Sequence, residues 1–205
     1  MSTRRKPATR ANTDRDLARV LRDVRACEVC LASLPLPPKP ILSVSVSTKI
    51  LIIGQAPGRK VHEAGVPWQD KSGSTLCDWL GVTNEQFLDN RMFGTMPMGF
   101  CFPGNKPGGG DLPPRPECAP LWHQAILAQL QELRLTLIIG QYAMRTYLKS
   151  DLNLTETVRN FREHLPTYFP LVHPSPLNFR WQAKNRWFVE DVVPELRIRV
   201  GEIIR

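Results

Sequence analysis

The sequence has no long hydrophobic run. No stretch of its 205 residues approaches the roughly 18 consecutive apolar residues that suggest a membrane-spanning helix. The N-terminal segment STRRKPATRANTDRD also lacks the apolar centre of a secretory signal peptide. We therefore expect a cytoplasmic protein with no membrane partner. No fixed period recurs along the chain, which argues against a repeat architecture.

Acidic residues are in the minority. The chain carries 19 Asp and Glu against 27 Lys and Arg, a formal charge of +8. Such a charge favours a polyanionic partner, although a basic soluble protein without one has the same composition. The length fits one domain with one substantial core. We predict a basic, disordered arm over residues 1–13 that adds non-specific phosphate affinity, and one folded domain over 14–205 that acts as a monomer.

Strand and helix patterns alternate along the chain, which predicts an α/β fold. The runs KILIIG (49–54) and LTLIIG (135–140) are apolar and end in glycine, as expected for strands covered on both faces. A third strand is predicted near 168–172. Helices are predicted at about 14–29, 73–81, 84–90, 117–133, 141–149, 155–164 and 183–199. The expected architecture is a single three-layer domain with a central, mainly parallel sheet flanked by helices, which binds ligands beyond the carboxyl ends of its strands.

Five cysteines in a chain without an export signal favour metal ligation or inert thiols over a disulfide framework. Cys27 and Cys30 form a CxxC, and Cys101 and Cys118 bracket a loop rich in proline and glycine that needs an anchor. This spacing suits zinc as well as an iron–sulfur cluster, and four unligated thiols are the third reading. Cys77 lies outside the pattern, and we expect it to be a small buried apolar residue.

Two short motifs follow predicted strands, GQAPG at 54–58 and HPSP at 173–176. In this order, at the ends of parallel strands, they resemble the two active-site motifs of the uracil-DNA glycosylase superfamily. The cysteine pattern is similar to that of its iron–sulfur branch, often called family 4, and the resemblance spans roughly residues 27–195. It implies a structural [4Fe–4S] cluster, with zinc as the alternative occupant. The implied ligands are Cys27, Cys30, Cys101 and Cys118.

The resemblance also implies a reaction and a partner. The partner is uracil-containing DNA, single- or double-stranded, and the base is flipped out and cut from its sugar to leave an abasic site. Such a site needs negative charge or a water-orienting group beneath the sugar, and donors toward the departing base. GQAPG lacks the acid that relatives carry there, because it has Gln55 and Ala56. Asp70, in GVPWQDKSG (65–73), is the implied catalytic acid, with a helix N-cap as its alternative role.

Other residues take family roles by the same resemblance. His173 donates to the uracil O2 and stabilises the leaving anion, and Gln55 reaches a base edge or a water. Trp68 places its ring against the flipped base. An asparagine that relatives use to read the base is replaced by Pro97, so backbone groups of the next two residues are expected to substitute. The implied substrate-binding residues are Gly54, Gln55, Ala56, Trp68, Met98, Gly99 and His173.

A second group is expected to contact DNA. Leu177 matches the residue that relatives insert into the helix to fill the hole left by the extruded base. The basic and aromatic residues beyond it suit a surface that faces DNA. The implied DNA-binding residues are Ser72, Ser175, Leu177, Asn178 and Arg180.

Two other functional classes remain open. A non-enzymatic lesion-binding module would keep Trp68 and Leu177 but need neither Asp70 nor His173. A hydrolase acting on free nucleosides would keep the base pocket but not need Leu177 or the basic arm. No lysine lies inside the motifs, so Schiff-base lyase chemistry is not indicated, and we expect a monofunctional hydrolase.

Overall fold

A four-stranded parallel sheet forms the centre of the protein. The structure is a computed structural model and describes residues 10–205. The strand order is β2-β1-β3-β4, and every neighbouring pair is parallel. The strands are β1 (Ile50–Ile53), β2 (Phe93–Thr95), β3 (Leu135–Ile139) and β4 (Tyr168–Leu171). The predicted α/β class with a central parallel sheet is confirmed.

Helices flank the sheet and are mostly short. Two π-helical turns, Ala119–His123 and Phe188–Val192, lead into the fifth and ninth helices. Helix α3 packs against α9, and α1 packs against α5. The helices are α1 (Arg10–Arg25), α2 (Arg59–Ala64), α3 (Lys71–Leu80), α4 (Asn84–Leu88), α5 (Gln124–Leu127), α6 (Gln141–Tyr147), α7 (Leu154–Arg159), α8 (Phe179–Lys184) and α9 (Val193–Ile204). Within residues 10–205, no helix is both long and apolar enough to cross a membrane.

The buried strands explain the apolar runs in the sequence. Every residue of β1 and β3 is buried, because helices cover both faces and no position points to solvent. Full burial of each Ile or Leu side chain contributes about 1.5–3 kcal/mol. The sheet is therefore a rigid base, and the loops at its carboxyl edge are held in place by the strands that lead into them.

Strand β2 was not predicted from the sequence. It has only three residues, and one of them is Gly94, which breaks the apolar pattern. A Cβ added at Gly94 would stand 2.7 Å from Cγ2 of Thr48, so only glycine allows this close approach. The predicted helix at 183–199 also differs, because α8 ends at Lys184 and a separate helix, α9, runs from Val193 to Ile204.

The N-terminal boundary lies earlier than predicted. Helix α1 begins at Arg10, so residues 10–13 of the expected disordered arm are helical. Thr13 is buried, and its hydroxyl accepts a hydrogen bond from Gln131 Nε2 at 2.8 Å. Arg10 also forms an ion pair with Glu132, with Nη1 of the arginine 3.5 Å from Oε1 of the glutamate. The rest of the predicted arm, residues 1–9, lies outside the described residues.

Candidate active site

A cavity of about 180 Å³ opens at the carboxyl edge of the sheet, beyond β1, β2 and β4. It is smaller than the roughly 300–1,000 Å³ of pockets for drug-sized ligands, so it suits one small ring. Loops from all three strands and the segment before α3 line it. Its lining includes these predicted residues: Gly54, Gln55, Ala56, Trp68, Asp70, Ser72, His173 and Ser175.

Trp68 forms one wall of the cavity. Two carbons of its ring lie 3.4 and 3.6 Å from where a Cβ on Gly54 would stand, so the ring packs against the end of β1 at van der Waals distance. The ring centroid is 5.9 Å from that of His173, with the planes 33° apart. The backbone φ of Trp68 is +60°, which is uncommon for a bulky residue. This conformation costs about 1–3 kcal/mol and occurs preferentially at functional sites.

Asp70 is the N-cap of α3. Its Oδ1 accepts a hydrogen bond from the Gly73 amide at 3.0 Å, so the capping geometry that the sequence indicated is present. The same side chain lines the cavity. Capping uses one carboxylate oxygen, and a carboxylate has a second, so the cap and a role toward a ligand are compatible.

His173 follows β4 by two residues and faces Trp68. Burial lowers the pKa of its imidazole, and the Asp70 carboxylate partly offsets this by raising it. The neutral imidazole is therefore favoured at neutral pH, and its N–H can donate to an oxygen that gains negative charge. Asn178 Nδ2 donates to the His173 carbonyl at 2.7 Å and fixes the loop.

Gln55 connects the first motif to the glycine-rich loop that follows residue 103. Its Nε2 donates to the Leu112 carbonyl at 3.0 Å. The loop folds back on itself, since the Leu112 amide donates to Gly104 O at 2.8 Å and Asn105 pairs with Asp111. This hydrogen bond uses one of the two N–H donors of the Gln55 amide, and the second N–H and the side-chain carbonyl remain for a ligand or a water.

The structure does not bring Met98 and Gly99 to the cavity. Their backbone amides donate to Gly54 O at 2.9 Å and to Gln55 O at 3.0 Å, so they extend the strand pairing and brace the first motif. The Met98 side chain lines a different, largely apolar cleft. Pro97 does line the cavity, as its place in the sequence suggested.

The rim of the cavity presents apolar side chains to solvent. Leu177 is 81% exposed and Phe179 is 62% exposed. The Arg180 guanidinium lies 5.7 Å from the Phe179 ring centroid. Ser175 Oγ accepts from the Leu177 amide at 3.2 Å, which fixes the turn that carries the leucine. The sequence analysis did not single out Phe179, although it lies beside Leu177 and Arg180 in the chain.

Asp111 is a second carboxylate in the cavity, and it was not predicted. Its Oδ1 accepts from Asn105 Nδ2 at 2.9 Å. Burial raises the pKa of Asp111, the Asn105 hydrogen bond lowers it, and the nearby Asp70 charge raises it further. The only signal in the sequence was its position after three glycines, in a loop with no regular pattern.

The four predicted cysteine ligands converge on one small cavity. Its other walls are mainly apolar and include Phe100 and Trp122. All five cysteines are free thiols, and Cys77 is buried in α3, apart from the other four. Burial raises the pKa of Cys101 to about 11. In the described part of the chain, no group of three or more His, Cys, Asp or Glu side chains is arranged to hold a single metal ion.

The fold and this cavity define an α/β protein with a small cavity at the carboxyl ends of the strands of a parallel sheet. The sequence model of the uracil DNA glycosylase superfamily matches residues 43–197, which is well over half of the chain. The protein belongs to this superfamily. The match includes Cys101 and Cys118 but not Cys27 and Cys30, which precede it.

One similar solved structure is the solution NMR structure of a candidate uracil DNA glycosylase from Methanosarcina acetivorans. The two proteins are 18% identical, with a TM-score of 0.42. The similarity covers 76% of this chain and 93% of the other.

Proposed function

We propose that this protein is a monofunctional uracil-DNA glycosylase, which hydrolyses the bond between uracil and deoxyribose and leaves an abasic site. One observation carries the proposal. The GQAPG and HPSP motifs, far apart in the chain, meet at a cavity of about 180 Å³ walled by Trp68. Such a cavity suits one flipped pyrimidine held against an aromatic ring.

Each chemical need of the reaction has a candidate residue. The bond between base and sugar breaks with positive charge developing on the sugar and negative charge on the base. Asp70 would stabilise the sugar cation, and neutral His173 would donate to the departing base oxygen. Trp68 would stack on the base. Ser72 and Ser175, which line the cavity, would contact the backbone of the DNA.

Two features support DNA over a free nucleoside as the substrate. Leu177 projects from the rim at 81% exposure, and a free nucleoside would leave no helix for it to enter. The formal charge of +8 suits a phosphate backbone. A lesion-binding module would need no pair such as Asp70 and His173 in its base pocket, and here both line it.

We also propose a structural [4Fe–4S] cluster at Cys27, Cys30, Cys101 and Cys118. The donor set fits, because four free thiols line one apolar cavity. A structural zinc ion would draw four sulfur atoms to within about 2.3 Å of one centre. A cluster attaches each thiolate to a different iron, so the thiols need not meet at a point, which favours iron–sulfur over zinc. The cluster would anchor the loop between Cys101 and Cys118.

The test is incubation of the purified full chain with a uracil-containing oligonucleotide, followed by alkali cleavage. Single-stranded, U·A and U·G substrates are compared with the matching thymine oligonucleotide, and free uridine is assayed in parallel. His173→Ala is the matched variant, because it removes the donor to the leaving group. We expect strand breaks at uracil only, strongly reduced in the variant.

Other outcomes would replace this function with a different one. Tight binding of uracil-DNA without strand breaks would indicate a lesion-binding module. Faster release of uracil from uridine than from DNA would indicate a nucleoside hydrolase. Strand breaks before alkali treatment would indicate lyase chemistry and contradict the monofunctional assignment.

A further inference from the structure

The cavity holds two carboxylates in different settings. Asp70 is tied to α3, because its Oδ1 accepts the Gly73 amide as the N-cap. Asp111 lies on the loop opposite, where its Oδ2 is 3.3 Å from the position of a Cβ built on Gly58. This distance is tighter than most Cβ contacts, so the Asp111 carboxylate packs closely against Gly58 at the end of the GQAPG motif. Both acids line the same small space as Trp68 and His173.

The loop that carries Asp111 is fixed at several points. Asn105 Nδ2 donates to Asp111 Oδ1 at 2.9 Å, and the two residues pair across the loop. Gln55 holds the next residue through the Leu112 carbonyl at 3.0 Å. The GQAPG motif contains no acidic residue. Its glutamine, Gln55, instead holds the loop that carries Asp111 against the motif.

We propose that Asp111 is the catalytic base of this site: it holds the attacking water and takes its proton, while Asp70 stabilises the sugar cation. This assignment rests on the proposed glycosylase function and deepens it. In this arrangement Gln55 is a positioning residue, because it acts on the reaction only through the loop that carries Asp111.

The step balances. The water oxygen forms a bond to C1′ of the sugar, and one water proton passes to the Asp111 carboxylate. The bond between C1′ and N1 of uracil breaks, and its electron pair leaves with the base. The proton then passes from Asp111 to the uracil anion or to solvent. Uracil-DNA and one water become an abasic site and free uracil, with no other reactant.

The environment of Asp111 suits a base. Partial burial raises the pKa of its carboxyl, so the carboxylate is a better proton acceptor than an exposed aspartate. The titratable groups that line the cavity with it are Asp70 at the start of α3 and His173 after β4. Helix α2 contributes Val61 to the lining and no titratable side chain within the described residues. Paired carboxylates in unlike settings commonly divide two roles between them.

The experiment measures single-turnover cleavage of uracil-DNA against pH, with DNA affinity measured separately. In the unaltered protein the rate should rise with pH as Asp111 loses its proton. Asp111→Asn should lower the plateau by about 100-fold or more and remove this rise, while DNA affinity is kept or increased. Asp16→Asn is the matched control, a half-exposed carboxylate on α1 that pairs with Arg19 and should change neither rate nor profile.

Two further variants should move the pH profile in opposite directions. Asn105→Ala removes a hydrogen bond that lowers the pKa of Asp111, so the rise should shift to higher pH. Asp70→Asn removes a negative charge that raises the pKa of Asp111. The rise of the cleavage rate should therefore shift to lower pH, while the plateau rate falls. A purely structural Asp111 would produce neither shift.

The outcomes separate this assignment from the proposed function. Normal cleavage and an unchanged profile in Asp111→Asn, with the unaltered protein active, would overturn the role of Asp111 and leave the glycosylase function standing. A slow Asp111→Asn that also loses DNA affinity would assign Asp111 to loop structure and overturn its role as base. No cleavage by the unaltered protein on any uracil substrate would overturn both.

Discussion

The carbonyl oxygen of Trp68 lies 1.8 Å from where a Cβ on Gly73 would stand. Trp68 has a φ of +60°, and its carbonyl also accepts the Asp70 amide at 2.8 Å. The glycine therefore makes room for the turn that places the tryptophan ring and the Asp70 carboxylate in one cavity. The sequence SGS in the first turn of α3 reflects this contact, since the helix itself gains nothing from a glycine there.

Gly73→Ala should disrupt this turn. The added methyl would meet backbone atoms, which cannot rotate away, so we expect about 3 kcal/mol of lost unfolding free energy, the upper end for overpacking. Trp68 should move as well, seen as a changed tryptophan fluorescence spectrum. Gly201→Ala is the control, because nothing lies within 4 Å of its added Cβ in α9, and it should stabilise by about 0.5–1 kcal/mol. Equal stability of the two variants would contradict the contact.

His123 should make the fold sensitive to acid. Its Nε2 donates to Pro97 O at 3.1 Å and its Nδ1 accepts from the Tyr147 hydroxyl at 2.6 Å, so the neutral ring satisfies both partners. Burial lowers its pKa to about 4. The unfolded chain takes up this proton near pH 6.5, whereas the folded chain does so only near pH 4. Stability from this residue is therefore complete above about pH 6.5 and is lost as the pH falls toward 4, by at most about 1.4 kcal/mol per pH unit.

Chemical denaturation at several pH values between 4 and 7 checks this. His123→Gln should be less stable at pH 7 but should show a shallower loss on acidification. Pro97 bonds to this histidine and also lines the candidate active-site cavity. Uracil binding should therefore weaken over the same pH range in which stability is lost. If the free energy of unfolding falls equally steeply with pH in the unaltered protein and in His123→Gln, other groups cause the acid sensitivity.

The sequence was sufficient for β1 and β3 because all of their residues are buried and form continuous apolar runs, and for β4 because its last three residues are buried. It was not sufficient for β2, where the constraint is a glycine packed against Thr48, a contact that no periodicity reveals. Motif residues at strand ends were correctly expected to meet, because the carboxyl ends of parallel strands share one edge.

Asp111 and the backbone of Met98 and Gly99 make contacts that the sequence did not predict. The position of Asp111 depends on a loop held by Gln55, a contact between residues 57 positions apart. The amides of Met98 and Gly99 looked free to read a base, but they pair with carbonyls of the first motif. In each case a hydrogen bond between distant segments fixes the position of the residue, and such a bond has no local sequence pattern.

The proposed metal site predicts a coloured protein. Purified without oxygen, the chain should be brown and contain iron and sulfide at about four each per chain. Cys27→Ser and Cys118→Ser should lose the colour and become less soluble, because the loop between Cys101 and Cys118 loses its anchor. Cys77→Ser is the matched control and should keep the colour, since Cys77 lies in α3, outside the four-thiol cavity. Stoichiometric zinc in a colourless protein would refute the cluster.

Asp70→Asn separates capping from catalysis. Asparagine caps a helix about as well as aspartate, so thermal stability should change little. Loss of the negative charge should slow single-turnover cleavage by on the order of 100-fold, because the sugar cation is no longer stabilised. Asp70→Ala is the comparison, which should also lose about 1 kcal/mol of stability with the cap. Cleavage near the normal rate by Asp70→Asn would limit this residue to the cap.

Leu177 should matter for duplex DNA more than for single strands. Its side chain projects at 81% exposure from a turn fixed by Ser175, so it can enter a base stack without refolding of the loop. Extruding a base from a duplex leaves a hole beside the partner strand, whereas a single strand has none to fill. Leu177→Ala should therefore slow cleavage of uracil in U·A and U·G duplexes, the former more because its base pair is stronger, and leave single-stranded cleavage nearly unchanged.

The matched control for this last variant is Leu88→Ala. Leu88 is 49% exposed but ends α4, which precedes β2 and so lies toward the opposite edge of the sheet from the cavity. Leu88→Ala removes the same side-chain atoms from the surface as Leu177→Ala. It should leave the ratio of the cleavage rates on duplex and single-stranded DNA unchanged. If Leu177→Ala lowers both rates equally, the leucine shapes the HPSP loop itself. In that case Phe179, the other apolar side chain exposed on this rim, becomes the residue to test for insertion.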